Sequence, residues 1–283
     1  MPRQIIVARS AGQCFGVKRA FNVAMEAARS EDAVVMLGDI VHNEHVVKRI
    51  DEAGVKVVRA IEQAGASGTL LVRAHGAAPE VYAQAQAQGL KILDATCPLV
   101  HEIHQVAREM EGEGYQLIVI GDHGHDEVVG ITGQVKDAIV LAGPDEVARR
   151  VPDRLRKVGV VVQSTQNIEN VQRILVELLP RVRELRYVDT ICGPTKTHQR
   201  DIRDLPGRCD VMVIVGSFTS ANTCRLTEIS RSTNPRSHQV EDASGLDPVW
   251  FVGAETVGVS AGASTPDWII DEVVRALEAM PEG

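Results

Sequence analysis

Nine short apolar runs recur along the chain, QIIVAR, AVVMLG, GTLLVRA, LKILDA, YQLIVIG, AIVLA, VGVVVQ, VMVIVG and TVGVSAG, with helical patterns between them. Runs this short and this continuously apolar suit strands covered on both faces. Their alternation with helical periodicity predicts an α/β fold built on parallel sheets. After Cys14 the helical counterpart is visible: Val17, Ala20, Phe21, Ala24 and Ala28 fall on one face. With aromatics at 3%, Ala, Val, Ile and Leu must fill the core. The basic stretch ARRVPDRLRKVG (148–159), broken by a Pro, reads as a solvated connection.

Charge and cysteine usage narrow the function classes. A net charge of −8 over 283 residues argues against non-specific nucleic-acid binding. Five cysteines, an odd number without short-loop pairing, do not form a secreted disulfide framework and point to a reducing compartment. The segment before Cys14 faintly imitates a lipoprotein cleavage site, but its apolar stretch Ile5–Ala8 is too short for a signal sequence. No apolar run approaches the roughly 20 residues that span a bilayer. The expectation is a cytoplasmic protein with no membrane or nucleic-acid partner.

Three of the cysteines share a context. Cys14 follows IIVARSAGQ, Cys97 follows KILDAT and Cys192 follows LRYVDTI; each closes a strand-like run and opens a helical pattern. A thiol at a helix N-terminus sits where amide hydrogens and the helix dipole favour thiolate. Asp94-Ala-Thr-Cys97 and Asp189-Thr-Ile-Cys192 even repeat a local pattern, and the three cysteines cut the chain into near-thirds. Three similar α/β units packed about a common axis would bring the three sulfurs together. Zinc in a structural site wants four ligands, usually with CxxC pairs, and none is present. Ferredoxin-type clusters also use close cysteine spacings. A cubane held by three cysteines would leave one iron open as a Lewis acid. Three buried structural cysteines fit the spacing as well. Cys209 and Cys224 lack the junction context and read as structural.

Polar residues gather at other strand ends, where open α/β sheets bind ligands. GDIVHNEHVV places His42 past a run, LLVRAHGA does so with His75, and IVIGDHGHDEVVG with His125 and Glu127. Ser164 and Thr165 in VVQSTQN, Ser220 and Asn222 in VGSFTSANT, and Ser264 in VSAGASTPD occupy similar places. Each of these hydroxyl and amide clusters could be a helix cap or a phosphate site. His101 and His104, along the helix after Cys97, read as structural or solvated.

The ordered set GQCFGVKRA, IVHN, RAHG, DATCPLV, GHDEVVG, QST, DTIC, GSFTSAN and SAGASTPD, spread over nearly the whole chain, resembles the 4-hydroxy-3-methylbut-2-enyl diphosphate reductase (LytB/IspH) family. The resemblance implies a pseudo-threefold trefoil of α/β units, 15–97, 98–191 and 192–283, the last completed by segment 1–14. It implies a [4Fe-4S] cluster on Cys14, Cys97 and Cys192, with one iron not bound by cysteine. The implied reaction is reductive removal of an allylic hydroxyl, the last step of the non-mevalonate isoprenoid pathway. Glu127 would be the proton source, with His125, Ser164 and Thr165 ordering its network. His42, His75, Ser220, Asn222 and Ser264 would clamp the diphosphate. Local charge, rather than the resemblance, gives the expectation of a small acidic electron carrier, ferredoxin or flavodoxin, docking near the arginines of 149–156. Two positions depart from the family pattern: Ser220-Ala221-Asn222 stands for Ser-Ser-Asn, and Gln163-Ser164-Thr165 for Gln-Thr-Thr. These departures leave room for a paralogue acting on a related allylic diphosphate. A non-catalytic iron–sulfur or zinc sensor and a metal-free phosphate-binding protein are the alternatives from other classes.

Overall fold

Every apolar run expected to be a strand is one. The computed structural model describes residues 4–31, 33–65 and 67–280. Its strands begin with β1 (Gln4–Val7), β2 (Val34–Leu37), β3 (Lys56–Val58), β4 (Thr69–Val72) and β5 (Lys91–Asp94). They continue with β6 (Gln116–Ile120), β7 (Ala138–Leu141), β8 (Leu155–Val162) and β9 (Val182–Tyr187). The last are β10 (Val211–Val215), β11 (Ser237–Val240) and β12 (Thr256–Ala261). The helices are α1 (Phe15–Ser30), α2 (Glu44–Glu52), α3 (Pro79–Ala87), α4 (Pro98–Gly112) and α5 (Asp126–Thr132). After them come α6 (Val147–Arg150), α7 (Ile168–Leu178), α8 (Gly193–Asp204), α9 (Ala221–Thr233) and α10 (Asp267–Ala279). None is long and apolar enough to cross a membrane.

The strands form three four-stranded sheets, and one strand order serves all three: β3-β2-β4-β5, β7-β6-β8-β9 and β11-β10-β12-β1. Among the described residues, all nine strand pairs are parallel. In the third sheet the fourth place is taken by β1, so the chain's first strand completes its last sheet. Parallel pairing needs a crossover for each strand, and the intervening helices supply it.

The chain forms two compact units. One contains the N-terminal stretch through Val17, His42–Val46 and the chain from Gly193 onward, and so holds the β11-β10-β12-β1 sheet. The other, Lys18–Val41 with Val47–Cys192, holds the remaining two sheets. Side-chain alternation explains why these strands are apolar throughout. Ile118, Ile120, Val158, Val160 and Val162 pack on one face of their sheet with Val171 and Ile174 of α7. Leu117, Val119 and Val161 pack on the other with Ile103 and Ala107 of α4. In the first unit, Val211, Val213 and Val215 meet Ile269 and Val273 of α10, while Met212 and Ile214 meet Leu226 of α9 and Ile202 of α8. Each fully buried aliphatic chain contributes roughly 1.5–3 kcal/mol.

The weakly signalled strands are edge strands. β3 and β11 (KVV and SHQV) lie at the outer edge of their sheets, and β9 opens on the charged VRELRY. A strand paired on one side needs no continuous apolar run. The basic stretch at 148–159 is less of a connection than its composition suggests. Its start belongs to α6 and its end to β8, anchored by buried Val147 and Val151.

Candidate active site

All twelve residues singled out by sequence lie where strands end and helices begin. In each sheet the strand in fourth place leads to a cysteine: β5 to Cys97, β9 to Cys192 and β1 to Cys14. The strand beside it leads to His75, to Ser164 and Thr165, or to Ser264. The next leads to His42, to His125 and Glu127, or to Ser220 and Asn222.

One backbone bond recurs at every cysteine. The Cys97 N–H donates to the Ala74 carbonyl at 2.9 Å, Cys192 to Ser164 at 3.0 Å and Cys14 to Ala263 at 3.0 Å. In each case the acceptor lies two residues past the adjacent strand, β4, β8 or β12. The bond therefore ties each thiol to the loop bearing His75, Ser164 or Ser264. None of the five cysteines is in a disulfide, and these three are half-buried. The Asp-x-x-Cys echo has a physical cause. Asp94 Oδ1 accepts from the Thr96 N–H (2.9 Å) and Asp189 Oδ1 from the Ile191 N–H (3.2 Å), so the side chain turns the backbone just before the cysteine. Ahead of Cys14 the turn instead passes through Gly12, at φ +109°. Cys209 is buried, and Cys224 lies within α9 with its thiol donating to the Phe218 carbonyl.

In the two-sheet unit, Glu127 sits in the first turn of α5 at 2% exposure. Its Oε1 accepts from the Ser164 N–H (2.6 Å) and its Oε2 from the Ser164 hydroxyl (2.8 Å). Burial raises its pKa above the ordinary carboxylate range, and Asp122 pushes the same way. The Ser164 bonds oppose that shift without cancelling it. A carboxyl held protonated above its usual range is what a proton donor requires. His125 caps α5, its Nδ1 accepting from the Glu127 N–H at 3.1 Å, and its ring meets that of His75 edge-on with centroids 5.5 Å apart. The Thr165 hydroxyl accepts from Gln163 Nε2 at 2.9 Å. Sequence reasoning named Gln163 only as part of a motif. It is fully buried, and its Oε1 also accepts from the Asp122 N–H at 2.8 Å, joining the β6 and β8 loops. The cap of α7 is Asn167, which leaves Ser164 free for Glu127.

His104 is buried at 4% exposure, and desolvation lowers its pKa to about 4, so it packs as a neutral ring. It explains Gly76, which follows His75 at φ +75°. A Cβ at Gly76 would lie 2.7 Å from His104 Cε1 and 3.2 Å from Thr96 Cγ2. Gly76→Ala is therefore expected to destabilise the fold by about 1–3 kcal/mol, through clash and left-handed strain together. A denaturant melt checks this; an unchanged midpoint would show that the loop relaxes freely. His101 is exposed, with Nε2 3.5 Å from Asp94.

In the other unit, residues 42–46 are fastened across the ends of three strands. The Ser264 hydroxyl donates to the His42 carbonyl (3.0 Å), the Ser217 hydroxyl to Glu44 (2.6 Å), and His45 pairs with Asp242 (3.4 Å). Asn43 caps α2 through the Val46 N–H at 3.1 Å. Ser220 is the cap of α9, accepting from the Thr223 N–H at 3.4 Å. Asn222 is 4% exposed, and neither its Oδ1 nor its Nδ2 has a partner among the described residues. An unpaired buried amide costs about 1–3 kcal/mol. The loops it sits between approach closely, since a Cβ at Gly262 would fall 2.0 Å from Thr223 Oγ1.

Fold and side chains together define an α/β protein of three like sheets, with thiols, imidazoles, hydroxyls and one buried carboxyl at the strand ends. The chain belongs to the LytB protein family, whose model matches residues 5–278. It is 42% identical over 274 residues to the 4-hydroxy-3-methylbut-2-enyl diphosphate reductase of Pelobacter propionicus (strain DSM 2379 / NBRC 103807 / OttBd1), covering 97% of each chain. It is 42% identical to the enzyme of that name from Geobacter sp. (strain M21), covering 98% of each. A solved (E)-4-hydroxy-3-methyl-but-2-enyl diphosphate reductase, described as the terminal enzyme of the non-mevalonate pathway, matches 98% of this chain and 100% of its own, at 36% identity and a TM-score of 0.70. The E-1-hydroxy-2-methyl-but-2-enyl-4-diphosphate reductase of Plasmodium falciparum shares the fold at a TM-score of 0.92, with 24% identity over 99% of this chain and 90% of that one.

Proposed function

We propose that this chain is an iron–sulfur reductase that removes the allylic hydroxyl of 4-hydroxy-3-methylbut-2-enyl diphosphate. Two electrons and two protons convert it to isopentenyl and dimethylallyl diphosphates plus water. The observation that carries the reading is the repeated corner: three half-buried thiols, each tied by the same backbone bond to the loop of the neighbouring strand. Thiolate donors without a fourth cysteine in the same context suit an iron–sulfur cluster better than structural zinc. Cys14, Cys97 and Cys192 would hold a [4Fe-4S] cluster, one from each α/β unit (15–97, 98–191, and 192–283 completed by 1–14). When bound, the cluster supplies electrons one at a time and an iron without a cysteine ligand that acts as a Lewis acid.

The chain's own residues do the rest. Hydroxide is a poor leaving group, and Glu127, whose pKa burial raises above the ordinary carboxylate range, delivers the proton. Ser164 fixes both oxygens of that carboxyl, and Thr165 and His125 order the surrounding loops. His42, His75, Ser220, Asn222 and Ser264 bind the diphosphate and thereby orient the hydroxyl. Asn222 offers its buried Nδ2 as a donor to a phosphate oxygen. Asn222→Ala is expected to raise KM about tenfold, the equivalent of roughly 1.4 kcal/mol, with kcat little changed. Steady-state kinetics check this; an unchanged KM removes Asn222 from the clamp.

The electron donor is a small acidic carrier, ferredoxin or flavodoxin, in the cytoplasm. The arginines of 149–156 are poorly placed to dock it. Arg149 and Arg150 pair with Asp145 and Glu146, and Arg156 opens β8 at the end remote from Ser164. By strand rise that is about 20–25 Å from the site, and electron transfer weakens steeply with distance. The test of function is anaerobic incubation with the diphosphate substrate and a strong one-electron donor. Formation of five-carbon diphosphates lacking the hydroxyl is expected; a cluster-loaded protein that leaves the substrate intact would overturn the reading.

A further inference from the structure

We propose that Arg19 is a positioning residue for the iron–sulfur centre: its guanidinium fixes the loop of Cys97 and holds a permanent positive charge against it, keeping the cluster's midpoint potential higher than the loop alone would. This inference rests on the reading above that Cys97 is a cluster ligand. Arg19 lies on α1, and its Nη1 donates to the Thr96 carbonyl at 3.1 Å while its Nη2 reaches the Asp94 carbonyl at 3.4 Å. These are the first and third residues of the turn that precedes Cys97. The rest of that turn is held by Asp94, whose Oδ1 takes the Thr96 N–H and whose Oδ2 takes the Tyr82 hydroxyl at 3.1 Å. Arg19 thus satisfies the outward carbonyls of a turn whose inward donors are already used.

The other two cysteine loops are fastened by groups of different charge. Before Cys192, the Thr190 hydroxyl donates to the Val162 carbonyl (2.6 Å) and accepts the Val162 N–H (2.7 Å). Before Cys14, the Ser10 N–H donates to the Asp201 carboxylate at 3.1 Å. Beyond the local Asp94 and Asp189 turns, the longer-range fasteners include a cation at Cys97, a neutral hydroxyl at Cys192 and an anion at Cys14. Mechanics alone does not require the cation at Cys97. Cluster potentials respond to nearby charge and to the hydrogen bonding of the ligand loops. A guanidinium, charged at every accessible pH, favours the reduced and more negative state.

The test uses full-length protein reconstituted anaerobically with iron and sulfide: wild type, Arg19→Gln, Arg19→Lys, and Arg173→Gln as an exposed cation on α7. Iron and sulfide content and midpoint potential, by redox titration followed by electron paramagnetic resonance, are measured for each. Arg19→Gln should carry a full cluster at a more negative potential, Arg19→Lys should lie close to wild type, and Arg173→Gln should not move. A full cluster at wild-type potential in Arg19→Gln overturns the proposal. So does an equal shift in Arg19→Lys or in Arg173→Gln, and so does loss of the cluster from both Arg19 variants, which would make the residue purely structural. Wild type that binds no iron and sulfide overturns the parent reading instead, and that result is separate from anything the variants report.

Discussion

Glu127→Gln is expected to lower kcat by about 10²–10⁴, the usual contribution of a positioned general acid, while cluster content and KM stay close to wild type. The substitution keeps shape and buries no new charge. Ser164 donates to both carboxyl oxygens, through its N–H and its hydroxyl. Glutamine can accept from the N–H and donate to the hydroxyl, which rotates to receive it. What it cannot do is release a proton. The same carboxyl sets two pH dependences of known sign. Burial raises its folded pKa above the ordinary carboxylate range, so turnover should fall as pH rises through the raised value. Its contribution to stability is likewise present below the unfolded pKa and lost as pH rises through the folded one. Glu127→Gln should lack that loss, and the two melting profiles should converge toward acid and separate toward alkali, with wild type the less stable there. Near-normal kcat in this variant reassigns the acid; parallel melting profiles mean that Glu127 is ionised in the folded protein.

Replacing Cys14, Cys97 or Cys192 by Ser is expected to abolish turnover and to strip most of the iron, whereas Cys209→Ser and Cys224→Ser should keep both. The two groups differ in structure as well as in context. The first three stand at strand ends, half-buried, with their N–H groups tied to neighbouring loops. Cys209 is buried beside Ile202, Leu205 and Met212, and burial pushes its thiol pKa upward, as it does for Cys224. A thiol held protonated is a poor metal ligand. Equal iron loss from all five variants would indicate general unfolding, and retention of iron in Cys97→Ser would remove that residue from the ligand set.

Much of this was legible in the sequence because parallel strands covered on both faces must be apolar throughout, and they are. The site was legible for a related reason. Strand exits are short, so Cys97 and His75 stand close in sequence to the apolar runs that place them. Edge strands such as β11 were faint, because half of SHQV needs no burial. The loop fasteners were fainter still. Arg19 lies 75 and 77 residues from its two acceptors, and no local pattern announces such a bond. Gln163 entered only as part of a motif, and burial shows both ends of its amide partnered; Asn222 was singled out at a strand end, but the sequence could not show that neither of its amide atoms is paired among the described residues. The basic stretch was legible only in part: it reads as a connection, yet Arg149 and Arg150 belong to α6 and Arg156 to β8.

On the reading proposed above, three thiols, one from each sheet, hold one inorganic centre. Alkylation mapping of anaerobically isolated protein, before and after iron chelation, tests it most directly. Iron and inorganic sulfide in equal amounts, with Cys14, Cys97 and Cys192 shielded from the reagent until iron is removed, is the result expected. Protein without iron, or one in which those three react as fast before chelation as after, would contradict the account.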